Sequence, residues 1–159
     1  ISAIIERDGA DGPEILVQTR IAGYDKVYSG SLEIPAGKID RFENVYDTVV
    51  REVKEETGLD ITEITPSRND RIFETPRNDA AIVFQPYCCQ QLTKGSVSWI
   101  GFVFLCKAKG ELQAAEGETK DVRWMNVREL KSLLETSPEK IFTLQLPVLD
   151  FYVNQKLAS

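Results

Sequence analysis

Three glutamates, Glu52, Glu55 and Glu56, fall within five residues, and Glu43 lies nine positions before the first of them. On a helix, at about 100° per residue, positions i, i+3 and i+4 share one edge. Carboxylates gathered in this way repel one another, which raises the pKa of some of them until a cation arrives. Hard divalent cations such as Mg²⁺ and Mn²⁺ prefer such oxygen donors, and Mg²⁺ combines diphosphate oxygens with one or two carboxylates. An ion held there can polarise a phosphoryl oxygen and make water nucleophilic near neutral pH. The plainer reading of three such glutamates is a solvated helix face on which Arg51 and Lys54 balance the charge.

The composition leaves this edge with most of the chemistry. The chain has no histidine, which removes histidine triads, histidine zinc sites and histidine general bases together. Its three cysteines, Cys88, Cys89 and Cys106, are an odd set with two adjacent members. A disulfide framework is therefore not expected, and a reducing cytoplasm is. The net charge of −6 speaks against nucleic-acid or membrane partners, which call for a basic patch. It leaves room for phosphates reached through metal ions. The 159 residues, 42% of them hydrophobic, suit one globular domain spanning 1–159 with one sizeable core. No apolar run approaches the roughly 18 residues of a membrane-spanning helix. The opening residues lack the basic start and long apolar core of a signal peptide. They read as the inside of a strand, so native residues are expected to precede Ile1.

The elements that must position the glutamates follow from periodicity and turn chemistry. Residues 2–6 and 14–19 read as strands of a hairpin whose turn, 8–13, is rich in Asp and Gly. Residues 21–31, with Tyr24 and Tyr28, read as a loop able to cover a ligand. Residues 32–35 are a short extended piece, because Pro35 steers Ile34 away from helix. A helix is expected over 44–57, closed by Gly58 in a left-handed position with Leu59 folding back as its apolar partner. Val45, Tyr46, Val49, Val50 and Val53 make its apolar face. Arg51 stands four residues before Glu55, so the two can pair.

Beyond the helix, 61–65 reads as a strand and 66–78 as a polar stretch in which Arg68, Arg71, Phe73 and Arg77 could face a ligand. Residues 80–91 read as a strand with Pro86 near a bulge or edge. Residues 93–96 make a turn into 97–108, which is apolar at nearly every position and so expected at the centre of a sheet. A polar loop over 114–121 leads to a strand at 122–125, a helix at 126–135, and a last helix bearing Leu146, Leu149, Phe151, Tyr152 and Val153. Trp99 and Trp124 read as core residues before base-stacking platforms. Strands with helices interspersed predict an α+β sandwich with a mixed sheet.

The spacing around the glutamates is a glycine, five residues, a glutamate, seven residues, then Arg-Glu-aliphatic-x-Glu-Glu-x-Gly-aliphatic. Here these positions are Gly37, Glu43, Arg51, Glu52, Val53, Glu55, Glu56, Gly58 and Leu59. This resembles the Nudix (MutT-like) hydrolase family, with every position of its box met. A chance match at a given start is below roughly 10⁻⁸ at ordinary residue frequencies. Looser likeness extends to LEIPAGKID before the box and EGETKDVRWMNVREL after the long strand, and points to the ADP-ribose pyrophosphatase branch. Leu32 stands where relatives of that branch carry a tryptophan.

The resemblance implies an α/β/α sandwich and hydrolysis, with Mg²⁺ or Mn²⁺, of the pyrophosphate in a nucleoside diphosphate linked to another group. An ADP-sugar such as ADP-ribose leads. A MutT-type nucleoside triphosphate pyrophosphohydrolase is the alternative, and a non-catalytic nucleotide-sensing module is a third reading. It also implies that Glu52, Glu55 and Glu56 bind metal, with Glu52 and Glu56 as direct ligands, and that Arg51 orients a glutamate. Gly37 and Gly58 would serve backbone geometry and Glu43 a supporting role. The general base would be Glu116 or Glu118 on the later loop, or Glu55 within the box. Arg20, Glu33 and Gly37 would face the substrate, a small nucleotide, and the family admits a homodimer. The isopentenyl-diphosphate isomerase branch, which looks for Cys and His, does not suit a chain without histidine.

Overall fold

The computed structural model describes residues 1–21, 28–95 and 98–158. Its first strands, β1 (Ser2–Gly9) and β2 (Gly12–Arg20), form the expected hairpin, with Gly9 opposite Gly12 across the turn. Strand β3 (Leu32–Glu33) pairs antiparallel with β2 so that Gln18 faces Glu33. Helix α1 (Val45–Thr57) comes next, then β4 (Asp60–Thr65), β5 (Ile72–Glu74), β6 (Ala80–Ile82), β7 (Cys88–Leu92), β8 (Trp99–Lys109) and β9 (Thr119–Asn126). Helices α2 (Val127–Thr136) and α3 (Leu146–Ala158) close the chain.

The main sheet runs β3-β2-β1-β8-β4, with β7 also paired to β8 and β9 to β2. β1 and β8 are parallel and the other pairs in this sheet are antiparallel, so the sheet is mixed. Side chains alternate between its faces. Ile4, Ile15 and Val17 join a core that α2 and α3 cover, while Ala3, Ile5 and Leu16 join a second core under α1. Helices on both faces of a mixed sheet are the α+β sandwich expected from the sequence.

Helix α1 starts and stops where its chemistry dictates. The Asn44 side chain accepts the Tyr46 N–H at 3.0 Å, satisfying a donor that the first turn leaves open. Gly58 ends the helix at φ 76°, a left-handed conformation that suits glycine, and its N–H reaches the Lys54 carbonyl at 3.0 Å. Leu59 folds back and is buried. Val45, Tyr46, Val49 and Val53 pack inward as expected, but Val50 is 40% exposed and belongs to the outer side.

Three further expectations change. Residues 80–91 are two strands, because the segment holding Pro86 joins no ladder and β6 pairs away from the main sheet with β5. The polar stretch 66–78 contains β5, a strand whose Ile72 and Phe73 are exposed. The loop after β8 spans 110–118 and ends before the expected 121, since Thr119 already opens β9. Residues 22–27, which hold Tyr24 and most of the expected covering loop, lie outside the described residues, as do Ser96 and Val97.

Candidate active site

Glu52 and Glu56 lie one turn apart on the side of α1 that meets β2, β3 and the 35–37 loop. Glu56 is 8% exposed. Its Oε2 accepts the Gln18 Nε2 at 2.9 Å and the Ala36 N–H at 3.0 Å. Burial pushes its carboxyl up to about 8, with Glu33 and Glu52 adding to the rise and the two hydrogen bonds opposing it. Burial also raises Glu52, against the pull of Arg51. A side chain on Gly37 would overlap the Glu52 carboxylate. Gly37 is therefore a matter of close approach, and its missing Cβ is the space in which Glu52 sits.

Arg51 organises the rest of the edge. Its fork grips Glu43, Nε to Oε1 at 2.8 Å and Nη2 to Oε2 at 3.0 Å. Nη1 donates to Glu52 at 2.9 Å and to Glu55 at 3.1 Å, and Nη2 reaches the Lys38 carbonyl at 3.3 Å. Such charge-assisted, bidentate geometry is what a guanidinium supplies and an ammonium does not. Glu43 also accepts the Asp40 N–H and the Thr48 hydroxyl, and with Arg51 as the largest cause its carboxyl falls to about 2. Glu55 is the exposed member of the set.

A second group of polar side chains lies under this edge. Glu33, 3% exposed, pairs with Arg20 Nη1 at 3.0 Å and accepts Gln18 Nε2 at 3.4 Å. Burial raises its pKa, and Arg20 and Gln18 oppose the rise. Arg20 also lies over the Phe142 ring, 4.9 Å from its centre. Gln18 is fully buried, and among the described residues its Oε1 has no partner. An unmet buried acceptor costs about 1–3 kcal/mol, so stability alone does not account for a glutamine here. The backbone around Glu33 is fixed by Gln145, whose amide accepts from the Ile34 N–H at 2.7 Å and donates to the Ile34 carbonyl at 2.9 Å.

The later loop is tied to the end of α1. Thr119 Oγ1 donates to the Glu56 carbonyl at 3.2 Å, and the Gln113 N–H to the Thr57 carbonyl at 2.8 Å. Lys54, Glu55, Gln113, Ala115 and Glu116 line a hollow of about 340 Å³ there. Glu116 thus shares a space with Glu55, whereas Glu118, exposed as Glu116 is, lies outside that lining. Arg68 turns to Asp47 on the outer side of α1 at 2.6 Å, and Arg71 covers Phe73, so neither joins the glutamates. Trp124 is half-buried against the second core, with Arg7 over its ring. Burial pushes Cys88 up to about 11 and Cys106 up to about 12, which leaves both as thiols at neutral pH.

The donor set suits a hard cation: oxygen ligands alone, two of them one helical turn apart, with room kept by Gly37. Among the described residues no three acidic or thiol side chains converge on one point. Arg51 holds Glu52 and Glu55, while Gln18 and Ala36 hold Glu56.

The NUDIX domain model matches residues 1–145, most of the chain. The chain belongs to the Nudix family. This Nudix chain is 27% identical over 135 residues to a Caenorhabditis elegans protein provisionally named nudix hydrolase 1, covering 82% of itself and 29% of that protein. It therefore spans less than a third of that relative's length. Among solved structures it is similar to a MutT NUDIX hydrolase from Burkholderia pseudomallei, at 23% identity and TM-score 0.57, covering 80% of this chain and 81% of the other. It is also similar to an Ap4A hydrolase from C. elegans, at 17% identity and TM-score 0.58, covering 99% and 96%. These likenesses show a shared Nudix fold.

Sequence reasoning missed Gln18, Gln145 and the Ala36 N–H. Gln18 carried a faint signal: it continues the inward alternation of Leu16 just after the apolar run 15–17. Gln145 bonds to Ile34 across 111 positions, and nothing local announces such a pair.

Proposed function

We propose that this Nudix chain is a Mg²⁺- or Mn²⁺-dependent hydrolase of the pyrophosphate in a nucleoside diphosphate derivative, with an ADP-sugar such as ADP-ribose as its substrate. The observation that carries this reading is the α1 edge, where Arg51 holds Glu52 and Glu55 and Glu52 fills the space left by Gly37. Glu52 and Glu56 would hold the ion, with Glu55 completing the acidic edge. A divalent ion there supplies Lewis acidity toward the phosphoryl oxygens. Arg51 keeps the carboxylates oriented, and its fixed charge offsets their repulsion. A carboxylate takes the proton of the attacking water. Glu116 and Glu55, which share one hollow, suit that role better than Glu118. Arg20, at the end of β2 and paired with Glu33, would offer its guanidinium to a phosphate. The cysteines are free, which agrees with a reducing compartment such as the cytoplasm.

Leu32 favours a second reading. Its side chain is buried in the core, so position 32 offers no aromatic surface to an adenine. That leaves a MutT-type nucleoside triphosphate pyrophosphohydrolase as the alternative. A sensing module without turnover has less support, because the full glutamate set is present. A panel of ADP-sugars, dinucleoside polyphosphates and nucleoside triphosphates, with Mg²⁺ and with Mn²⁺, separates these by chromatography. AMP from ADP-ribose supports the first reading, and pyrophosphate from a triphosphate the second. A folded protein that cleaves none of them with either ion would overturn both.

A further inference from the structure

We propose that Gln18 is a positioning residue: it fixes which oxygen of Glu56 meets the divalent ion and ties that carboxylate to the Glu33–Arg20 pair. The inference rests on the function proposed above. Gln18 Nε2 and the Ala36 N–H both donate to Glu56 Oε2, at 2.9 and 3.0 Å. Among the described residues no hydrogen bond reaches the other oxygen, Oε1, which is thereby the one left for a cation. The orientation of the amide is dictated by its surroundings: turned over, its oxygen would face carboxylate oxygens of both Glu33 and Glu56.

Two further observations single out this residue. Gln18 is fully buried and leaves its own Oε1 without a partner among the described residues. A methionine or leucine would fill the position, after Ile15, Leu16 and Val17, without stranding a polar atom. The register between β2 and β9 also shifts between Val17 and Thr19. Irregularities of this kind re-aim a side chain and recur beside active sites. The result is a continuous line: Arg20 on one oxygen of Glu33, Gln18 on the other, and Gln18 again on Glu56. Partners behind metal ligands commonly set their orientation, and removing one costs about 10–100-fold in metal affinity or activity.

The test is Mn²⁺ binding without nucleotide, followed by electron paramagnetic resonance, in the wild type, Gln18→Met and Glu56→Gln. Gln18→Met should bind Mn²⁺ about 10–100-fold more weakly than the wild type. Its deficit in turnover should shrink as Mg²⁺ is raised, because affinity for the ion is what it lacks. Glu56→Gln should lose both binding and turnover. Wild-type Mn²⁺ affinity in Gln18→Met overturns the inference and leaves the proposed function standing, and so does a loss of turnover with ion affinity intact. Absence of Mn²⁺ binding in the wild type overturns the function itself. If Gln18→Met does not fold, Gln18→Asn, whose amide is withdrawn by one methylene, carries the same expectation and the same refutation.

Discussion

Glu56 holds its proton to a pH at which an ordinary glutamate has long lost it. Its carboxyl rises from 4.5 to about 8, chiefly through burial. The folded state therefore binds a proton that the unfolded chain releases between these two values. Without divalent ions, stability falls as pH rises through that window and levels off above about 8, by at most about 1.4 kcal/mol per pH unit. Glu56→Gln removes the ionisation, and its single amide oxygen can still accept from Gln18 and Ala36. The variant should melt clearly above the wild type at about pH 8, by about 2–4 °C for each kcal/mol that the ionised carboxyl has cost a chain of this length, and level with it near pH 4.5. Its metal-dependent turnover should fall by at least about 100-fold. Equal melting temperatures at both pH values would show that the carboxyl is not perturbed. Gly37→Ala separates the two properties differently. The new methyl displaces only the flexible end of Glu52, so the melting temperature should move by about 2 °C or less. Turnover should drop by at least about tenfold as Glu52 leaves its place. A large loss of stability with turnover intact would assign Gly37 to the backbone instead.

At the scale of elements, α1 was the most legible part of the sequence, because its limits are set by local chemistry. Asn44 caps the start, Gly58 supplies the left-handed end, and the box residues between them share faces by helical spacing alone. Asn44→Ala should cost about 1 kcal/mol, or about 2–4 °C in melting temperature. Since the cap lies at the far end of the helix from Glu56, the variant's ion affinity should stay within about twofold of the wild type, as expected for separated, uncoupled sites. Strands were legible where they alternate between two covered faces, as in β1 and β2. They were obscured where that condition fails. The β5–β6 hairpin exposes Ile72 and Phe73, so its sequence carries no inward period. Residues 80–91 looked continuous because the apolar content runs on past Pro86, although no ladder does.

The whole molecule supplies what no single element contains. Glu52 and Glu56 come from α1, Gln18 from β2 and Glu33 from β3. The sheet brings them together through pairings that span much of the chain. The glutamates were legible because their spacing is local. Their buried partners were not, because Gln18 and Glu56 are 38 positions apart. Bringing these acids together has a consequence for the entire fold. An ion bound only by the folded state stabilises it by about 2.7 kcal/mol at 100 times its dissociation constant. Mg²⁺ or Mn²⁺ at that excess should therefore raise the melting temperature by about 5–11 °C. Because the chain carries a net charge of −6, any salt relieves some repulsion. NaCl of equal ionic strength is the control, and it should reproduce little of the rise; a chelator should abolish it. The gain also depends on pH. Below about 8 the ion must displace the Glu56 proton, so its apparent affinity should weaken by up to about tenfold per unit. Melting with and without Mg²⁺ at about pH 6 and about pH 8.5 should show the larger rise at the higher pH, and Glu56→Gln should show little rise at either. An equal rise at both pH values would mean that the ion binds without taking the place of that proton, and would move the metal site away from Glu56.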